Sequence, residues 1–249
     1  MKTNQTKSGI IYQGASLIDG KPIVCIAQTK TDNKKTGNMI QTYIIRSDID
    51  PVSASRTGED YSICGNCMHR GKVAPHKVSG QAENRTCYVT LAHGPLQKYK
   101  GFIKGLYPEV SGHKDIQDIG FGRMVRIGTY GDPVAVPQYV WDSLVSRCDG
   151  WTAYTHGEIN LAPHMFMTSA DSYDEAVSAW DRGERTFRVI PDIFSLDKHR
   201  EFLCPASEEM GKRSNCAKCK ACSGTESNAK SVAIVAHGTS GKKLKGMLV

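Results

Sequence analysis

Seven of the nine cysteines in this chain stand in two groups, and whatever fold the chain adopts has to give each group a home. The later group is Cys204, followed by Pro205, and then the run Cys216-Ala-Lys-Cys219-Lys-Ala-Cys222. Two residues between neighbouring thiols let one tight loop present three of them. A remote fourth completes the set of thiolates that an iron–sulfur cubane needs. Lys212, Arg213, Lys218 and Lys220 stand nearby in sequence and favour the thiolate form. The pattern predicts a [4Fe–4S] site on Cys204, Cys216, Cys219 and Cys222. Zinc is the alternative, although four-cysteine zinc sites more often split into two CxxC pairs than into one and three.

The earlier group is Cys64-Gly-Asn-Cys67 followed by Cys87. Three thiolates at one point leave a fourth metal position open to water or a small molecule. His69 or His76 would close such a site as Cys3His. A redox dithiol is a weaker reading, because such motifs sit at strand-to-helix junctions and this one sits in a loop. Cys25 and Cys148 are isolated in apolar segments and read as core.

Metal-bound or reduced thiols agree with the rest of the chain. Met1 to Gly9 is polar and no signal-peptide stretch follows, so a cytoplasmic protein is expected. The longest apolar runs, Ile23 to Ala27 and Val232 to Ala236, are five residues each, far from the ~20 that a membrane-spanning helix needs. With 39% hydrophobic residues over 249 positions, the chain can bury a real core. The net charge of +7 belongs to the ends: residues 1–40 carry +4, residues 212–249 carry +7, and the middle carries −4. A basic tail such as Lys242-Lys243-Leu244-Lys245 suits weak contact with nucleic-acid phosphate or simple solvation. No GxSxG, HExxH, P-loop or GxGxxG motif is present, which argues against the common hydrolase, nucleotidase and dinucleotide-binding classes.

Pro22–Gln28 and residues 41–46 read as strands after a loose start over residues 1–21, and residues 64–85 read as a long loop that a metal would justify. From residue 86 the pattern alternates. Strands are expected at 86–92, 122–129, 151–156, 165–169, 185–190 and 231–236. Helices are expected over 136–147 and from a Ser172/Glu175 capping box through Trp180, with Gly183 as its stop. This spacing implies an α/β fold with parallel strands, a complete or partial β/α (TIM-like) barrel with cysteine-rich loops. Residues 1–60 would form N-terminal strands and a loop, and 61–249 the barrel-like domain. In such folds the loops after the strands carry the site. That places Tyr130-Gly131-Asp132, His156 and Asp171 as candidates, with His156 the best single base or ligand. Arg123, Arg126, Arg185 and Arg188 lie in expected strands, where some would face a ligand.

Three sets of residues carry a resemblance. They are Cys64-x-x-Cys67 with Cys87-Tyr88, the segment Gly128-Thr-Tyr-Gly131-Asp132-Pro133, and Cys204-Pro205 with the CxxCxxC run. Together they resemble the radical S-adenosylmethionine (SAM) superfamily and, more narrowly, a group of uncharacterised bacteriophage proteins, the phage gene 88 protein group. The resemblance spans roughly residues 60–237. It implies a cluster on Cys64, Cys67 and Cys87 with SAM on its open iron, Gly131 and Asp132 beside the SAM amino group, and an auxiliary cluster on the later cysteines. Radical SAM enzymes carry CxxxCxxC in one loop, whereas here the third cysteine lies twenty residues beyond Cys67. The expectation is therefore an iron–sulfur protein with radical SAM-like enzyme chemistry as an open question. The alternative is a zinc-stabilised phage accessory protein that binds nucleic acid or a protein partner through its basic ends.

Overall fold

The computed structural model describes residues 7–110, 112–157, 164–225, 228–238 and 240–248. Its first sheet runs β1 (Gly9–Ala15), β2 (Pro22–Gln28), β3 (Ile40–Arg46), β4 (Met124–Tyr130) and β5 (Gly150–Thr152), in that spatial order. β1, β2 and β3 are antiparallel neighbours, and β3–β4–β5 are parallel. β2 is apolar almost throughout and β3 is buried at every position, because neighbours flank them on both edges and helices or loops cover their faces. β1, at the edge, alternates over its second half. Residues 9–15 of the expected loose start are thus a strand, while residues 1–6 lie outside the described residues.

The second sheet is wholly parallel: β6 (Tyr154–Thr155), β7 (Met167–Ala170), β8 (Thr186–Ile190), β10 (Ser231–Val235) and, at the edge, β9 (Glu201–Leu203). β5 and β6 are separated by Ala153 alone. Its N–H donates to the Cys222 carbonyl (3.1 Å), and its own carbonyl accepts from Met167 N–H (3.0 Å). The expected α/β class with parallel strands is what the chain forms. Among the described residues the strands do not close into a complete barrel.

Helices fill the crossovers. α1 (Pro51–Thr57), α2 (Tyr61–Cys64), α3 (Gly94–Ile103) and α4 (His113–Gly120) lie between β3 and β4. α5 (Gln138–Val145) joins β4 to β5, α6 (Tyr173–Asp181) joins β7 to β8, and α7 (Cys216–Cys219) and α8 (Gly241–Leu248) come late. Asp50 caps α1 by accepting from Val52 N–H and Ser53 N–H, with Pro51 in the first turn where its missing donor costs nothing. Ser172 caps α6 by accepting from Glu175 N–H, as its sequence predicts, and the helix closes near Gly183. The Glu175 carboxylate reaches back to Asp171 N–H (2.7 Å) rather than to the cap itself.

The larger core packs Trp141 and Leu144 of α5 and Ile116 and Ile119 of α4 under β2–β4. It draws on both sides of residue 60, so that position marks no break in the packing. The smaller sheet splits by strand alternation. Val232 and Ile234 face Met167 and Cys204, whereas Ala233 and Val235 face Ile190. Two expected features differ. Residues 86–92 form no strand: the Arg85 guanidinium donates to the Cys87 and Val89 carbonyls, which a ladder would otherwise use. Arg185 and Arg188 are buried and bound within the protein. Arg185 donates to the carbonyls of Ala221, Gly224, Ala229 and Lys230, and Arg188 pairs bidentately with Glu201 (2.8 and 2.6 Å). Among the described residues no helix is long and apolar enough to cross a membrane.

Candidate functional site

The residues after the parallel strands converge at one edge. Asp132 stands two residues beyond β4. Its carboxylate accepts from Thr155 Oγ1 (2.5 Å) and from the N–H groups of Val134 (3.2 Å) and His156 (2.8 Å). Its own N–H donates to the Ile63 carbonyl (2.5 Å), which ties the end of β4 to the helix that ends in Cys64. Gly131 has φ +83°, and a Cβ there would come within 2.7 Å of Ile44 Cβ, so this glycine lets β4's end press against β3. The structural work of Gly131 and Asp132 is therefore to lock Cys64 and His156 into place.

The long excursion between Cys67 and Cys87 folds back on itself. Lys72 and Glu83 exchange backbone hydrogen bonds (2.7 and 2.8 Å), and the N–H groups of Thr86 and Cys87 both donate to the His69 carbonyl. Arg70 clamps the base of the loop through Asp60, Gly65 O and Gly58 O. Cys87 thus returns beside Cys67. Burial pushes the Cys64 thiol well above its ordinary pKa, with Asp60, Cys67, Cys87 and Asp132 adding to the effect. Burial also raises Cys87, against the pull of Arg85 and His156. His76 is exposed on the excursion.

His69, His156 and Asp171 stand beside these thiols. Asp171 Oδ1 lies 2.9 Å from His69 Nε2 and 3.3 Å from His156 Nε2. His69 Nδ1 lies 2.9 Å from Thr86 Oγ1, and Cys67 Sγ lies 3.9 Å from His156 Nε2. Burial opposes a charge on His156, but its contacts with Asp171 and Cys67 outweigh that and push its pKa up to about 11. Burial would raise Asp171, yet the two imidazoles hold it well below the usual carboxylate range. Among the described residues this is the one group of three or more metal-ligating side chains whose donor atoms all lie within 4.8 Å of one another.

The later cysteines gather elsewhere. Cys204 follows β9 and packs with Val232 and Ile234. Cys216 and Cys219 begin and end α7, which Asn215 caps by accepting from Lys218 N–H. Cys222 lies against Tyr154. Burial pushes Cys222 up to about 12; the Tyr154 hydroxyl lowers it, and Cys204, Cys216 and Cys219 raise it. Burial likewise raises Cys204, against Lys35 and with Cys216 and Cys219. The thiols that act on Cys64 and Cys87 belong to the earlier set, and those that act on Cys204 and Cys222 belong to the later one. Arg126 of β4 faces the later set from above the Tyr154 ring (5.6 Å) and makes no hydrogen bond or ion pair through its guanidinium among the described residues. Cys25 is fully buried in β2, and Cys148 is half-buried.

The two basic ends meet in a cleft of about 600 Å3, where Lys34 and Lys35 face Lys212, Arg213 and Lys218. Tyr88 and His237 pack edge to face at its wall (5.2 Å). The tail lysines 242, 243 and 245 lie on α8, held to the body by buried Leu244.

Comparison of the chain with protein-family models, curated proteins and solved structures returned no match.

Proposed function

We propose that this protein binds iron–sulfur clusters through its two thiol sets, on a scaffold that is a partial β/α barrel. The observation that carries the reading is the later set: four thiols near enough to act on one another, beside Lys35 and an Arg126 that has no anionic partner among the described residues. A cluster ligated by four thiolates carries negative charge, which would supply that partner. The donor set fits the group. Among the described residues no three thiols lie within 4.8 Å of one another. A single zinc at a Zn–S distance of about 2.3 Å draws its sulfurs to within about 3.8 Å. A polynuclear cluster spaces its thiolates more widely, because several metal atoms separate them. Cys204, Cys216, Cys219 and Cys222 would hold one cluster. Cys64, Cys67 and Cys87 would hold a second with one iron left free, next to His156 and Asp132.

The barrel reading is supported by Ala153, which joins the two sheets, and by Arg126, Tyr154 and Phe187, which line up across β4, β6 and β8 on one face. When bound, the clusters would supply one-electron chemistry, and a free iron would supply a site for a small molecule such as SAM. The chain's own contribution is separable from that chemistry. Asp132 fixes the backbone of His156, burial favours the protonated form of Cys64, Cys87, Cys204 and Cys222, and Arg126 and Lys35 set the charge around the later set.

The test is iron, sulfide and zinc content with a visible spectrum on protein purified without oxygen. Roughly eight irons and eight sulfides per chain are expected if each thiol set holds a cubane. Zinc without sulfide overturns the reading. SAM titration of the loaded protein then tests the free iron.

A second reading, nucleic-acid binding by a zinc-stapled protein, draws support from the cleft that joins the two basic ends. It predicts affinity for a single-stranded oligonucleotide that falls steeply with salt, and a slope near zero overturns it.

A further inference from the structure

We propose that His69, His156 and Asp171 form a mononuclear site for a divalent transition-metal ion, beside the earlier thiol set and apart from the later one. The donors come from three separate parts of the chain: the loop after α2, the end of β6 and the end of β7. A metal bound at about 2.1 Å places adjacent nitrogen and oxygen ligands about 3.0–3.4 Å apart, whether octahedral or tetrahedral. The Asp171 Oδ1 distances of 2.9 and 3.3 Å to the two Nε2 atoms already have that spacing. Two imidazoles and one carboxylate are the donor set of facial sites for iron(II) and manganese(II), which leave further positions open.

The surroundings suit the same role. Thr86 Oγ1 against His69 Nδ1 fixes the ring so that Nε2 points at Asp171, the outer-shell contact that ligating histidines characteristically have. The side chains of His69 and Asp171 are each 11% exposed and that of His156 is 25% exposed, so the group is held firmly and still reached from solvent. A cavity of about 370 Å3, lined by Asp171, Tyr173, Arg188 and Ser195, opens beside the carboxylate. Of the three ligands, Asp171 lines that cavity. The inference goes beyond the iron–sulfur reading and does not rest on it.

The probe is Mn2+, which prefers nitrogen and oxygen donors to thiolates. The full-length protein as purified is titrated while the six-line electron paramagnetic resonance signal of free Mn2+ is followed. One Mn2+ per chain is expected. His156→Ala and Asp171→Asn are expected to abolish binding, and Thr86→Val to weaken it about 10-fold. Cys222→Ser should leave Mn2+ binding unchanged while it changes iron content, which separates this site from the later thiol set. His156 is the most exposed of the three, so its variant keeps the test open if Asp171→Asn fails to fold. No binding by the wild type up to about 1 mM, or unchanged binding in His156→Ala, overturns the proposal and leaves the three groups as a hydrogen-bonded brace.

Discussion

The two thiol sets sit in different electrical surroundings. Cys64, Cys67 and Cys87 lie among charges of both signs, with Asp60 and Asp132 acting on Cys64 and Arg85 and His156 on Cys87. Cys204, Cys216, Cys219 and Cys222 lie under Lys35 and Arg126. Burial raises the thiol pKa of Cys64 and Cys87 in one set and of Cys204 and Cys222 in the other, so an incoming metal has to displace their protons. The difference lies in what happens afterwards. Cationic neighbours stabilise a bound group that carries net negative charge, as a four-thiolate cluster does. Neighbours of both signs, as around the earlier set, favour a centre with fewer thiolates and an exchangeable position. The sets also differ in support. The earlier one hangs on a self-paired excursion braced by Arg70, and the later one on the carbonyl grip of Arg185 and the edge of the second sheet.

The largest test of this contrast is ligand removal. Cys222→Ser should empty the later set and spare the earlier one, and Cys87→Ser should do the reverse, each removing about half of the iron. If either variant loses all the metal, the sets are one unit and the contrast falls. Glu201→Gln comes next. Glu201 is 0% and Arg188 5% exposed in the side chain, so the change strands a buried cation and should cost about 3–5 kcal/mol in urea unfolding. Because Glu201 begins the strand that leads to Cys204, metal loss should be confined to the later set. Gly224→Ala is a milder probe of the same half. Gly224 has φ +94°, and a Cβ would fall 1.9 Å from the His164 carbonyl oxygen, so a loss of about 1–3 kcal/mol or somewhat more is expected. A variant as stable as wild type would show that the loop relaxes freely. The smallest effect is expected from Arg126→Gln. Iron content should hold, while voltammetry should find the later cluster's potential lowered by on the order of tens of millivolts. An unchanged potential would mean that Arg126 does not feel the cluster.

Much of the sheet was legible because burial on both faces forces near-continuous apolar runs. Pro22–Gln28 and Ser231–Val235 stand out for that reason. Positions one or two residues past the strands were legible as well, which is how Asp132, His156 and Asp171 were found. Residues 86–92 misled because their alternation is strand-like while their backbone donors and acceptors are spent on the His69 carbonyl and the Arg85 guanidinium. β1 was hidden by the lysine-rich, polar segment that precedes it. His69 was visible as a candidate ligand for the thiols. Its actual partner lies 102 residues away, and no local pattern encodes a pairing of that range. The antiparallel fold-back at Lys72 and Glu83 was hidden too, although Gly71 marks it: a Cβ there would lie 2.3 Å from the Glu83 carbonyl oxygen.

Ala153 has a consequence for the order in which the molecule is made. A ribosome delivers the chain from its N-terminus, so residues 150–155 emerge long before Cys222. Until then the Ala153 N–H has only water to bond, and the joint between the two sheets stays wet. Arrival of the last cysteine loop dries the joint, and β10, the strand between β8 and β9, follows it. The seam between the sheets therefore closes late in synthesis, and nascent chains halted before residue 222 should remain open to proteases there.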